Sequence, residues 1–183
     1  MNHFHFPVSF GTILVSWDSQ EQLSRIEWSE CKLAMFYRIK VPAPIADLVD
    51  QIRGYFYQGE PLGPIFWDFL DQSDWTPFQR DVYRIISTIP HGETRTYGWV
   101  AQKLGKSRAS RAVGQALKRN PLPILIPCHR VLAHRSMGGF MGATDPFDSK
   151  VDLKRKLLAL EERYQSPVFQ FLSPDTHVSH SYR

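Results

Sequence analysis

Cys128, His129 and Arg130 stand side by side in the stretch Asn-Pro-Leu-Pro-Ile-Leu-Ile-Pro-Cys-His-Arg-Val, residues 120–131. A thiol attacks as its thiolate, and an adjacent histidine and a fixed positive charge both favour that form. The chemistry these residues suit is covalent, with Cys128 as nucleophile. Pro121, Pro123 and Pro127 fix backbone torsions and exclude a regular helix, while Ile124, Leu125 and Ile126 form an apolar run fit for burial. A stiff, buried segment therefore delivers one thiol to a defined place. An isolated cysteine is otherwise a small buried hydrophobe, and Cys31, next to Glu30, is read that way, as a packing residue that begins a strand. His3 and His5 are read as part of a mobile terminus rather than as metal ligands.

The elements before Cys128 imply a partner. Thr76-Pro77-Phe78-Gln79 combines an N-cap hydroxyl, proline at the first helical position and a glutamine placed to close a capping box. Phe78, Val82, Ile85, Ile86 and Ile89 then mark one face of a helix that Pro90-His91-Gly92 ends. A second helix is expected from Thr96 to about Leu104, with Val100, Ala101 and Leu104 inward. Gly105-Lys106-Ser107 forms a turn, and a third helix follows from Arg108 to about Arg119 with Ala112, Val113, Ala116 and Leu117 inward. Helix, glycine turn and basic helix describe a helix-turn-helix.

Charge supports the same reading. The whole chain is +4, but residues 1–75 carry 5 Lys/Arg against 10 Asp/Glu and residues 76–183 carry 17 against 8. Between Gly92 and Asp145 the acidic residue is Glu93 alone, against nine basic ones: Arg95, Lys103, Lys106, Arg108, Arg111, Lys118, Arg119, Arg130 and Arg135. Such a field suits a polyanion.

The first part reads as a structural α/β unit. Gly11–Trp17 and the alternation of Leu33, Met35, Tyr37 and Ile39 are strands, Ile26 and Trp28 mark a shorter one, and Trp17–Gln20 is a turn. After Pro42 and Pro44, Ile45, Leu48, Ile52 and Phe56 recur at helical spacing until Gly59, giving a helix that packs on the sheet. Residues 63–75 read as a final strand and a linker, with a domain boundary near residue 75. No catalytic residue is expected in residues 1–75. No apolar run is long enough to span a bilayer, the chain start lacks signal-peptide character, and two cysteines favour a reducing compartment. Cytoplasm is expected, or the nucleus in a eukaryote.

The strings Asn120-Pro121 and Pro127-Cys128-His129-Arg130-Val131 resemble the active-site signature of the O6-alkylguanine-DNA alkyltransferases, also called methylated-DNA-protein-cysteine methyltransferases. Thr96-Tyr97-Gly98, Arg111-Ala112-Val113-Gly114, Met137-Gly138-Gly139-Phe140-Met141-Gly142 and the segment Lys156–Glu161 resemble further motifs of that family. The resemblance spans roughly residues 8–163. It implies a ribonuclease-H-like α/β domain over residues 1–75, an all-α winged-helix-like domain over 76–163 that holds the functional residues, and a tail, 164–183, beyond its reach.

The function implied is repair of double-stranded DNA containing O6-alkylguanine. A base inside a duplex is out of reach of a buried thiol, so it must be flipped out. The alkyl group then passes irreversibly to Cys128, once per molecule. The resemblance implies that Arg111 fills the space left in the stack and that Tyr97 assists the leaving base. His129, oriented by Glu161, draws the proton from Cys128, and Asn120 holds the turn. With the basic stretch it places Arg95, Thr96, Tyr97, Arg108, Arg111, Ala112, Gly114 and Lys118 at the DNA, and Tyr97, Leu117, Pro123, Val131, Phe140, Met141 and Gly142 around the base. Phe140 stands where the family commonly has tyrosine, Met141 where it has a small residue and Ala143 where a second glycine is usual. The chemistry requires no cofactor and no metal, and a monomer without membrane attachment is expected. Two other classes are compatible with parts of this pattern: a non-catalytic damage-sensing DNA binder, and a cysteine hydrolase or thiol redox protein using Cys-His-Glu.

Overall fold

The computed structural model describes residues 1–31 and 40–165; the strand expected from Leu33 to Ile39 lies outside them, as does the tail beyond Gln165. Three strands, β1 (Asn2–Val8), β2 (Gly11–Trp17) and β3 (Leu23–Ser29), form an antiparallel sheet in that order. β1 replaces the mobile terminus expected around His3 and His5. Phe4, Phe6 and Val8 alternate with His3, His5 and Pro7, a period of two that puts Phe6 and Val8 in the core. The turn after β2 is held by Asp18, whose carboxylate accepts from the backbone N–H of Gln20 and Gln22.

Helix α1 (Ala43–Gln58) lies against this sheet. Ile45, Leu48, Ile52 and Phe56 are buried as their spacing requires, together with Val49 and Tyr55. Gly59 stops the helix in a left-handed conformation, φ +78°. The final strand expected within residues 63–75 is reduced to one bridge, Leu70 to Leu23, and a single 3-10 turn at Trp67–Phe69. Pro61 and Pro64 lack the donors that a longer ladder needs. Cys31 is exposed and lies past the end of β3, so it is neither a core residue nor the start of a described strand.

Helix α2 (Pro77–Ile86) starts with the complete Thr76–Gln79 capping box. Next come β4 (Arg95–Thr96) and α3 (Tyr97–Lys103), the latter capped by Thr96 Oγ1, which accepts from Trp99 N. α4 (Ser110–Lys118) follows a turn in which Lys106 N donates to Ala101 O and Gly105 N to Gln102 O, with Gly105 at φ +69°. α3 and α4 are thus joined as a helix-turn-helix. Ala112, expected inward, is exposed, while Val113, Ala116 and Leu117 are buried.

The second part is not all helical. β5 (Val131–Leu132) pairs parallel with β4, joining the end of the cysteine segment to the entry of α3. α5 (Ser149–Tyr164) closes the described chain, capped by Asp148, whose carboxylate accepts from Lys150 N. One contiguous apolar core runs from the sheet through α1 and α2 to the cysteine segment and α5. No helix among the described residues is long and apolar enough to cross a membrane.

Candidate active site

Asn120 builds the turn that presents the cysteine. Its Oδ1 accepts from Leu122 N at 3.0 Å, and its Nδ2 donates to Ile126 O at 2.9 Å and to Cys128 Sγ at 3.2 Å. One side chain thus closes the loop and solvates the sulfur, favouring thiolate. Leu122, Ile124, Leu125 and Ile126 are buried. Ile124 takes φ +78°, a conformation a β-branched residue adopts only when its surroundings force it. The sheet anchors the start of the same loop, where Ile26 N on β3 donates to Pro121 O at 2.8 Å. Cys128 itself opens a 3-10 turn, Cys128–Arg130, after Pro127.

Behind the cysteine lies a closed polar cluster. His129 and Glu161 have no solvent exposure, and His129 Nε2 is 2.7 Å from Glu161 Oε1. Arg130 donates to both Glu161 oxygens, Nε to Oε2 at 2.9 Å and Nη2 to Oε1 at 3.0 Å, and to Ile89 O through Nη1. Gly92 N and the Tyr55 hydroxyl complete the shell around the carboxylate, at 2.9 and 2.8 Å. Burial pushes the Glu161 carboxyl up, but hydrogen bonding and charge from His129 and then Arg130 overcome it and hold the group well below the usual carboxylate range. Burial also lowers the pKa of His129, against the pull of Glu161, and raises that of Cys128. Both shifts favour the uncharged forms, thiol and imidazole. With Nε2–H donating to Glu161, His129 Nδ1 keeps a lone pair with no hydrogen-bond partner among the described residues.

The expectation that Arg130 supplies the positive charge for Cys128 is corrected here, because Glu161 neutralises Arg130. The cation that acts on the thiol is Lys154 on α5, fully buried, which lowers the Cys128 pKa after Asn120. Its Nζ donates to Val131 O and Met137 O at 2.7 Å and to Gly139 O at 3.2 Å. Lys154 therefore ties the residues after Cys128 to the glycine-rich loop. Burial lowers its own pKa to about 8.

Sequence reasoning missed Lys154 and Tyr55. Lys154 shares the stripe of Leu157 and Glu161, at i+3 and i+7, a lysine where the pattern is apolar. Tyr55 lies on the buried stripe of α1, and nothing local shows what its hydroxyl meets. Residues 1–75, where no catalytic residue is expected, thus supply one side chain to the shell around Glu161.

Cys128 opens into a cavity of about 180 Å³ lined by Tyr97, Leu117, Gly139, Phe140, Met141 and Gly142 with residues of α4 and of the loop to Thr144. Phe140 N donates to Ala143 O and Ala143 N to Phe140 O, so Met141 and Gly142 form a tight turn with φ +47° and +88°. The Phe140 ring meets His129 edge to face, centroids 6.4 Å apart. Tyr97 packs over Gly138, where an added Cβ would lie 3.2 Å from the tyrosine hydroxyl. Burial raises the Tyr97 pKa, and a Cys128 charge raises it further, so its hydroxyl is a proton donor. Pro123 and Val131, expected in this wall, are buried and do not line it. Among the described residues no cluster of three or more His, Cys, Asp or Glu is placed to hold a metal ion.

The outer face of α4 presents Arg111, Ala112, Gln115 and Lys118, all exposed, and Arg108 precedes it, also exposed. Gly114 faces Tyr97, whose ring would lie 3.8 Å from a Cβ added there. Arg95 is engaged locally, donating to Glu93 Oε2 at 2.6 Å with its guanidinium 5.5 Å from the Trp99 ring centroid. A buried thiol, a cavity before it and a basic helix beside it make a site for attack on a group presented from a polyanion.

Residues 77–163 match the family model described as 6-O-methylguanine DNA methyltransferase, DNA binding domain. The chain is 37% identical over 147 residues to a methylated-DNA--protein-cysteine methyltransferase of Mycolicibacterium paratuberculosis, covering 80% of this chain and 77% of the relative. It is 39% identical over 131 residues to that of Methanosarcina barkeri, covering 68% and 77%. Among solved structures, the Mycobacterium tuberculosis O6-methylguanine methyltransferase superposes with a TM-score of 0.70 at 27% identity, over 94% of this chain and 99% of that one. The same organism's OGT in complex with DNA gives 0.69 at 28%, over 93% and 99%.

Proposed function

The chain belongs to the methylated-DNA--protein-cysteine methyltransferase family, and on that premise we propose how its site repairs O6-alkylguanine in double-stranded DNA by transferring the alkyl group to Cys128. The protein is a single-turnover transferase. The observation that carries the reading is the Cys128 sulfur, held by Asn120 at the inner end of a cavity beside the exposed basic face of α4.

The step balances as follows. The alkyl carbon bonded to guanine O6 is attacked by Cys128 sulfur, the C–O bond breaks and an S–C bond forms. The thiol proton goes to His129 Nδ1, directly or through a water, and the leaving guanine takes a proton with Tyr97 as donor. A thioether is neither hydrolysed like a thioester nor reduced like a disulfide, so the thiol is not regenerated. Arg111 fills the stack after flipping, and Arg95, Thr96, Arg108, Ala112, Gly114 and Lys118 form the docking face, with phosphate contacts making affinity fall with salt. Leu117, Phe140, Met141 and Gly142 hold the base. We further assign residues 1–75 to a ribonuclease-H-like domain and 76–163 to a winged-helix-like domain, with a boundary near residue 75. The reducing cytoplasm, or the nucleus in a eukaryote, is where such a monomer would meet DNA and keep its thiol.

Intact-protein mass spectrometry with O6-methylguanine duplex in excess, followed by peptide mapping, tests this. A gain of one methyl, about 14 Da, on the peptide carrying Cys128 and absent with unmodified DNA is expected for a stoichiometric transfer. Tight binding to the lesion without mass gain would instead identify a damage sensor.

A further inference from the structure

Tyr55 belongs to α1, far in sequence from the cysteine segment, and its side chain is fully buried. Its hydroxyl donates to Glu161 Oε1 at 2.8 Å and stands 3.3 Å from His129 Nε2. Its ring meets those of His129 and His91 edge to face, with centroids 6.4 and 5.9 Å apart. A phenylalanine would fill the same space, so packing alone does not account for the hydroxyl.

We propose that Tyr55 is a positioning residue for alkyl transfer: its hydroxyl, by donating to the Glu161 oxygen that holds His129, fixes the His129 tautomer and sets how readily that histidine takes the Cys128 proton. The inference rests on the reading of His129 as the base serving Cys128. The three atoms Tyr55 Oη, His129 Nε2 and Glu161 Oε1 admit two arrangements. In one, Tyr55 and His129 both donate to Oε1, and Nδ1 keeps its lone pair. In the other, Tyr55 donates to Nε2 and the imidazole proton moves to Nδ1, which has no acceptor among the described residues. A buried donor without an acceptor is costly, and the shorter contact is the one to Glu161, so the first arrangement holds. Its free lone pair is the feature a base needs.

The hydroxyl also disperses the carboxylate charge, sharing Oε1 with His129 and Arg130 Nη2. Without it Glu161 pulls harder on the imidazole and His129 binds a proton at higher pH. An imidazolium cannot accept the thiol proton. The groups facing His129 are Glu161 and Lys154 from α5, Tyr55 from α1, His91 from the turn after α2, and Arg130 and Cys128 from its own segment. Burial keeps the Tyr55 hydroxyl protonated far above its ordinary range, so it is a neutral donor throughout. Tyr55→Phe therefore removes a hydrogen bond and no charge.

The test compares unmodified protein with Tyr55→Phe on O6-methylguanine duplex from about pH 5 to about pH 9, reading transfer rate and methyl stoichiometry. One methyl per chain is retained, and the acid limb of the profile moves up by about half a unit to one unit, so that the rate at a fixed pH on that limb falls about three- to tenfold. An unmoved acid limb would reduce Tyr55 to a packing residue. Absence of transfer by the unmodified protein would be a failure of the functional reading, a separate result. A second measurement needs no variant: the 15N shifts of His129 should identify Nε2 as protonated and Nδ1 as bare, and the reverse assignment would overturn the proposal.

Discussion

Arg130 and Glu161 form a two-pronged ion pair, Nε to Oε2 at 2.9 Å and Nη2 to Oε1 at 3.0 Å, with the carboxylate wholly out of solvent. The pair consumes the charge of the residue two after Cys128, so the side chains that favour the thiolate are Asn120, by its hydrogen bond, and then Lys154, by its charge. It also anchors the 3-10 turn at Cys128–Arg130 to α5, so the nucleophile's backbone and its base share one support.

Glu161→Gln breaks this support. The guanidinium is left buried without a counter-charge, which costs about 3–5 kcal/mol of stability, read by denaturant unfolding at neutral pH. The pH dependence follows from the depressed Glu161 pKa. The unfolded state takes up the proton first, so the stabilisation is complete above the ordinary Glu value of about 4.3 and is lost as pH falls toward the folded value. The gap between unmodified protein and Glu161→Gln should narrow in acid. A gap equally wide at neutral pH and well below pH 4 would contradict the assignment.

Lys154→Met leaves the carbonyls of Val131, Met137 and Gly139 without their shared donor. A loss of about 2–4 kcal/mol is expected, and transfer should slow on the order of tenfold as the thiol loses its nearby cation. Lys154 has a folded pKa of about 8, below its ordinary value. Between the two the unfolded chain binds more protons, so unmodified protein gains stability as pH rises through that window and Lys154→Met does not. Parallel stability curves for the two proteins from pH 8 upward would count against a buried ammonium here.

What sequence makes legible is what neighbours in sequence decide. The Thr76–Gln79 capping box is local chemistry and stands as read. Asn120 and the prolines fix the cysteine turn within a dozen residues, and Glu161 was placed beside His129 only through a motif resemblance. β1 was legible in principle, since Phe4, Phe6 and Val8 alternate, but two histidines at a chain start drew the reading toward a loose end. Lys154 stood on an apolar stripe in plain view. Tyr55 could not be found this way, because its partner is 106 residues distant and the contact exists only once α1 and α5 pack. The same holds for Arg130, whose charge looks available until Glu161 arrives beside it.

Arg111 offers a test of docking apart from chemistry. It is exposed near the start of α4, on the face shared with Gln115 and Lys118, and it is not among the residues that line the Cys128 cavity. If it occupies the space vacated by the flipped nucleotide, Arg111→Ala should slow transfer from duplex by about 10–100-fold, since extrusion costs a few kcal/mol that the side chain helps to offset. Free O6-benzylguanine needs no extrusion, so its reaction with Cys128 should stay within about twofold of the unmodified protein. Lys118→Ala, by contrast, should weaken binding across sequences and lower the salt slope by about one. Rates on duplex and free base can be followed by the same mass shift on the Cys128 peptide. Equal slowing on both substrates would place Arg111 in the chemistry or the fold rather than in the stack.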